Sequence, residues 1–174
     1  MELTEADVLN IKQSVEKIQI HLNERWSNRE LHQLSVNPLK YFKRFGLSKK
    51  VEQLISSNGD VYYEFQTSIR DFIRKVKRKV ISTIDDCFQC VMGLLTLLAI
   101  FSLGSGITEH ILTDYQEVLL QYLVFYFGSN YFIKSWLKAF VDFMKKAGIP
   151  HLSINNLAKY LCFQAGLCPD KGIL

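Results

Sequence analysis

The sequence predicts an all-α fold, a bundle of about seven or eight helices in a single domain over residues 1–174, built around a buried apolar helix at about 87–105. Three observations predict it. Apolar residues recur at three- and four-residue spacing through most of the chain, no segment alternates over strand length, and the stretch CFQCVMGLLTLLAIFSLGSGIT at 87–108 carries no formal charge. A helix that is apolar on every side either spans a bilayer or is covered by other helices. Gln89, Thr96, Ser102 and Ser105 interrupt the run, and amphipathic segments on both sides are long enough to cover it, so burial is the expected outcome.

The flanking segments supply the cover. The chain opens with a helix that Thr4 caps with Asp7 three residues on, and Val8, Ile11, Val15, Ile18, Leu22 and Trp26 follow on one face, opposite Lys12, Glu16 and Glu24. The stretch SNRELHQLSVNPLKYFKRFGLSKK contains Pro38 and Gly46 and reads as a short helical turn followed by a basic connection carrying Lys40, Lys43, Arg44, Lys49 and Lys50. From about 49 to 84, Val51, Leu54, Ile55, Tyr62, Phe65, Ile69, Phe72, Ile73, Val76 and Val80 form a helical stripe interrupted by SSNGD, as one long helix or two abutting ones. The opposite side of that stripe is a basic face, Arg70, Arg74, Lys75, Lys77, Arg78 and Lys79, of the kind that lies on an anionic membrane or an acidic partner, or is simply wet.

Asp85 and Asp86 precede the uncharged run where acids favour a helix start, and Gly104 and Gly106 end it. A further helix begins near Thr113 or Asp114 and carries Val118, Leu119, Tyr122, Leu123, Phe125 and Tyr126 to the break at 128–130. The next places Ile133, Trp136, Leu137, Phe140, Val141 and Met144 on a stripe and stops at Gly148 before Pro150, and Ser153 caps the last, INNLAKYLCFQAG.

Composition narrows function. With 48% hydrophobic and 22% charged residues the chain is an ordinary globular protein, and a net charge of +4 gives no reason to expect nucleic acid as a partner. The N-terminus is acidic and amphipathic rather than basic and apolar, and the C-terminus has no apolar tail, so no export signal or tail anchor is expected and a cytoplasmic location is. The four cysteines are then expected as reduced, buried thiols. Cys87-Phe-Gln-Cys90 with Cys162 and Cys168 has the residue types of a metal site, but it lacks the βαβ context of a redox site, and no metal or cofactor is expected. His21, His32, His110 and His151 are scattered, Asp85 and Asp86 point different ways on a helix, and no phosphate loop, nucleophile elbow or metalloprotease motif occurs. No catalytic constellation is present, and an enzyme is not expected.

A central apolar helix with amphipathic helices around it resembles the Bcl-2 family of apoptosis regulators, and particular residues carry the resemblance. Val51, Ile55, Gly59, Asp60 and Tyr62 are similar to the family's third homology motif, with Ile55 at the main apolar anchor four residues before a Gly-Asp pair. Ala99, Phe101 and Gly104 resemble the end of the first homology motif, which here lacks its Asn, Trp and Arg; Thr96 stands in the place of the arginine. Ser135-Trp136-Leu137 is similar to the opening of the second, without the Gly-Gly that follows it.

The resemblance implies a surface groove for amphipathic helices of pro-apoptotic partners, lined by Phe65, Ile69, Phe72, Ile73, Val76, Thr96 and Phe101, with Lys75, Lys77 or Arg78 substituting for the arginine. It implies a divergent inhibitor of mitochondrial cell death, of viral or invertebrate-like kind, associating with the mitochondrial outer membrane or another anionic surface. Two other roles stay open at this point. One is a pro-death member that exposes its own 51–62 segment and inserts a helical hairpin into the outer membrane, and the other is a helical signalling module unrelated to apoptosis.

Overall fold

The computed structural model describes residues 3–25, 27–78, 84–101, 107–108, 121, 124, 126, 142, 151–152 and 154–169. Seven helices and one minimal strand pair lie within them. Helix α1 (Glu5–Glu24) begins with a complete capping box: the Thr4 N–H donates to Asp7 Oδ2 at 2.8 Å and the Asp7 N–H to Thr4 Oγ1 at 3.3 Å. Trp26, expected at its end, lies outside the described residues.

The next stretch is more helical than its Pro and Gly suggest. It forms α2 (Asn28–Val36) and α3 (Pro38–Arg44), where one turn and a connection were expected. The reason is local. Pro38 is the first residue of α3, where its missing N–H is no loss and its fixed φ is already helical, and Asn37 Oδ1 accepts the Lys40 N–H at 3.3 Å. Pro38 starts a helix instead of ending one.

The SSNGD interruption likewise separates two helices, α4 (Lys49–Ser56) and α5 (Gly59–Arg78). Asn58 makes the break by capping α5: its Oδ1 accepts from the Asp60 N–H at 3.0 Å and the Val61 N–H at 3.3 Å. Asp85 does the same for α6 (Asp86–Phe101), accepting the Phe88 N–H at 3.0 Å. Strands β1 (Ile107–Thr108) and β2 (His151–Leu152) pair antiparallel, and α7 (Ile154–Gln164) follows. The expected helix at 114–126 is described only at Gln121, Val124 and Tyr126, each helical. The helix expected at 131–148 is described only at Asp142, which is helical and exposed, and the glycine stops at 104 and 106, the Ser153 cap, the 135–137 motif and Lys79 lie outside the described residues.

In α6 every residue from Val91 to Ala99 is buried. Helices α1, α4, α5 and α7 pack against it, and α2 packs against α5. The stripe on α5 faces inward as its spacing requires, with the Phe72 ring 5.7 Å from Phe88 and the Phe65 ring edge-on to Phe42 at 6.0 Å. Polar side chains of α1 pin the entry to α6: Gln19 Nε2 and Asn23 Nδ2 donate to the Ile84 carbonyl at 3.2 and 3.1 Å, and the Ile84 N–H donates to Asn23 Oδ1.

The cysteines correct the sequence reading. They are not free thiols: Cys87 is bonded to Cys168 and Cys90 to Cys162. The C-x-x-C spacing puts two sulfurs on one face of the first turns of α6, and that is the face α7 covers. Cys162 arrives on α7 itself. Gly166, at φ +76°, turns the chain sharply after the helix so that Cys168 comes back beside Cys87, with the Leu167 and Cys168 N–H groups donating to the Cys162 carbonyl. The expectation of reduced thiols, which followed from a cytoplasmic location, falls with this finding.

A second close approach occurs within α6. Tyr126 is buried, its hydroxyl donates to the Gln89 carbonyl at 3.2 Å, and a Cβ placed on Gly93 would stand 1.8 Å from that hydroxyl oxygen. Gly93→Ala must therefore displace Tyr126 or α6. The expected cost is about 1–3 kcal/mol, as for other overpacked cores, read as a lowered urea midpoint with an unchanged slope; a midpoint equal to the native one would contradict the contact.

Candidate partner-binding surfaces

The residues expected to line a partner groove come together, but as interior. Phe65, Ile69 and Ile73 are at most 1% exposed, and Phe72 and Val76 are 7% and 6% exposed. They lie along the inner face of α5 against α6, and α7 lies along both helices. Ile154, Leu157, Ala158 and Leu161 of α7 are all fully buried. Glu64 of α5 holds the head of α7, its Oε1 accepting the Ile154 N–H at 3.0 Å, where a carboxylate also meets the positive end of the helix dipole. Thr96 is fully buried and its hydroxyl donates to the Met92 carbonyl at 2.9 Å within α6, which satisfies it without any partner. The Phe101 side chain lies outside the described residues.

The 51–62 segment is not one continuous helix. Val51 and Ile55 are fully buried on α4, whereas Gly59 and Asp60 are exposed at the start of α5, and Tyr62 is half-buried. Helix α4 is fastened to α1 on its open side. Lys50 Nζ lies 2.6 Å from Asp7 Oδ2, and Asn10 accepts the Ser48 N–H and donates to the Gly46 carbonyl, both at 2.8 Å. Burial pushes the Asp7 carboxyl up, but the hydrogen bonds from Lys50 and from the Thr4 N–H and hydroxyl outweigh it and leave the group below its ordinary value.

Outward, α5 is cationic. Arg70, Arg74, Lys75 and Lys77 are exposed, and Tyr63, 70% exposed, continues the line of Arg70, Arg74 and Lys77 two helical turns toward the N-terminus. Arg74 reaches Asp71 at 3.4 Å across open solvent, a contact of little energy. The Arg78 side chain and Lys79 lie outside the described residues.

A cleft of about 780 Å³ opens between α2 and α3, lined by His32, Val36, Lys40, Tyr41 and Arg44 among others. Two of these side chains, Tyr41 and Arg44, are held by Glu30, whose Oε2 accepts from the Tyr41 hydroxyl at 2.7 Å and lies 3.3 Å from Arg44 Nη1 and 3.5 Å from His21 Nε2. Burial raises the Glu30 pKa, but the Tyr41 hydrogen bond and the Arg44 charge bring it below the ordinary value; burial and then the Glu30 carboxylate push Tyr41 well above its own. The Arg44 guanidinium sits over the Tyr41 and Phe45 rings at 5.6 and 5.1 Å.

Several of these features escaped sequence reasoning. The role of Glu64 and the Glu30 cluster depend on contacts 90 and 11 residues apart, which no local pattern encodes. The disulfides had a signal, an even number of cysteines in two close pairs, 87 with 90 and 162 with 168. Among the described residues, no three His, Cys, Asp or Glu side chains converge as a metal site, and no helix is long and apolar enough to cross a membrane. Comparison of the chain with protein-family models, with curated proteins and with solved structures gives no match.

The Asp7 clamp has a pH signature. A carboxyl held below its ordinary value of 3.8 stabilises the folded chain above that pH, and the contribution is lost as pH falls through the lowered value. Asp7→Asn is expected to cost about 1–2 kcal/mol at pH 7, as for a lost hydrogen bond to a charged group whose partner, Lys50, is partly screened by solvent, and the difference from the native chain should shrink below about pH 4. Urea midpoints at pH 7 and pH 3 check it; a deficit of equal size at both would contradict the assignment.

Proposed function

We propose that this chain is a regulator of cell death of the Bcl-2 type that binds amphipathic helices of pro-apoptotic partners along the α5–α6 face and so inhibits mitochondrial cell death. One observation carries the reading: an amphipathic helix, α7, already lies along that face with Ile154, Leu157, Ala158 and Leu161 inward. The shape and apolarity that receive α7 are those that a partner helix requires. The resemblance of residues 51–62 and of Ala99, Phe101 and Gly104 to the family's motifs points the same way.

Partner charge is read at the rim. Thr96 offers no cation, so the acid of a partner helix pairs with Lys75 or Lys77, both exposed on α5. The site of action in this reading is the cytoplasm at the outer mitochondrial membrane, approached through the cationic side of α5. The opposite, pro-death role asks Val51 and Ile55, fully buried, and the Lys50–Asp7 clamp to come apart before 51–62 is presented. Sequestering partners asks α7 alone to move off the α5–α6 face while α4 and α5 keep their places, and it is the reading we favour.

A second reading rests on a separate observation, the exposed cluster of Arg70, Arg74, Lys75 and Lys77 beside Tyr63. A signalling module that docks this face on an acidic protein needs no groove at all. Titration of the chain, with and without reductant, by fluorescent death-motif helices separates the two. Saturable submicromolar binding, weakened about tenfold by Lys75→Glu with Lys77→Glu, is the expected result, equivalent to about 1.4 kcal/mol. Absence of binding in both conditions would overturn the helix-binding role in favour of the module.

A further inference from the structure

The C-x-x-C pair is unused by the helix-binding role, and its surroundings give it one. Cys87 and Cys90 stand one turn apart at the head of α6, and each is bonded to a different point at the end of α7, Cys168 and Cys162. Four sulfurs therefore share one cluster. Residues three apart on an α-helix have Cα atoms about 5 Å apart, inside the range that a disulfide bridges, so Cys87 and Cys90 have each other as an alternative partner. The two existing bonds also differ in access. Cys87 and Cys168 retain 9% and 6% exposure, whereas Cys90 and Cys162 retain 2% and 0%, so a reductant meets the outer bond first.

We infer that these four cysteines form a thiol–disulfide exchange site whose substrate is a dithiol reductant, and that one exchange frees α7 from α6. The electrons balance in three transfers. A thiolate of the reductant attacks Cys168 Sγ, the Cys87–Cys168 bond breaks, and Cys87 leaves as a thiolate. That thiolate attacks Cys90 Sγ, the Cys90–Cys162 bond breaks, and Cys162 leaves as a thiolate and takes up a proton. The second thiol of the reductant then displaces Cys168 from the mixed disulfide, and Cys168 is protonated in turn. The reductant has lost two electrons and two protons. The chain has gained two thiols, Cys162 and Cys168, and keeps one disulfide, Cys87–Cys90, within α6.

The consequence follows from what α7 covers. After the exchange α7 has lost both covalent ties to α6, its non-covalent contacts such as the Glu64 cap are left to hold it, and the face of α5 and α6 beneath it becomes available to another amphipathic helix. This last consequence rests on the helix-binding reading; the exchange does not.

The oxidised full-length chain is treated with one molar equivalent of dithiothreitol, quenched by alkylation and mapped as unreduced peptides. The expected product carries a Cys87–Cys90 bond with Cys162 and Cys168 alkylated. A product that keeps Cys90–Cys162 with Cys87 and Cys168 alkylated would overturn the exchange. As a second arm, the double variant Cys87→Ser, Cys168→Ser has lost the attacking thiolate, and its remaining bond is expected to open at least tenfold more slowly than the same bond in the native chain; equal rates would overturn the proposal. The third arm is binding of a death-motif helix before and after exchange. A gain of tenfold or more supports the gate, and equal affinity in both states overturns it. Loss of all binding, with the mapped product as expected, would remove the helix-binding reading and leave the exchange site standing.

Discussion

Covering α6 is the constraint that the other helices answer. A helix with no polar face has nothing to offer water, and each large apolar side chain moved out of water contributes about 1.5–3 kcal/mol. From Val91 to Ala99 the burial is continuous, and it takes α1, α4, α5 and α7 to produce it. Each of those helices brings an inward stripe and leaves its charges outside. The polar group caught inside is settled locally, since Thr96 gives its hydroxyl to the carbonyl one turn back. Gly93 has no side chain because Tyr126 needs the space.

The covering helices are held in different ways, and the difference has functional weight. Helix α1 is pinned at the entry to α6 by Gln19 and Asn23, and α4 is fastened to α1 by Lys50 and Asn10. Helix α7 is tied covalently, by two bonds that close loops of 81 and 72 residues. Cross-links over loops of that length contribute typically 2–4 kcal/mol each through the unfolded state, and two so close together do not add fully. Under the exchange inferred above, these ties become reversible and the α5–α6 face becomes a controllable surface.

Most of the architecture was legible because it is periodic. The stripes of α1 and α5, the uncharged run of α6 and the caps Thr4 and Asp85 are local patterns, and they predict elements within a few residues of where these stand. Pro38 misled because its meaning depends on position: in mid-helix it breaks, and at the first turn it starts. The cysteines misled for a different reason. Their pairing joins α6 to a chain end more than 70 residues away, and location was argued from the termini before the sulfurs were given partners. Of the surfaces, the basic side of α5 was legible as the complement of an apolar stripe. The Glu30 cluster, the cleft beside it and the Glu64 cap were not, because each depends on how two helices meet.

The account stands or falls on α6 being the best-protected element of the fold. Native-state hydrogen exchange on the oxidised chain measures it directly. Amides from Val91 to Ala99 are predicted to exchange only through global unfolding, with denaturant dependence equal to that of the whole molecule. Exchange of those amides through local openings, with little dependence on denaturant, would contradict a bundle organised on α6.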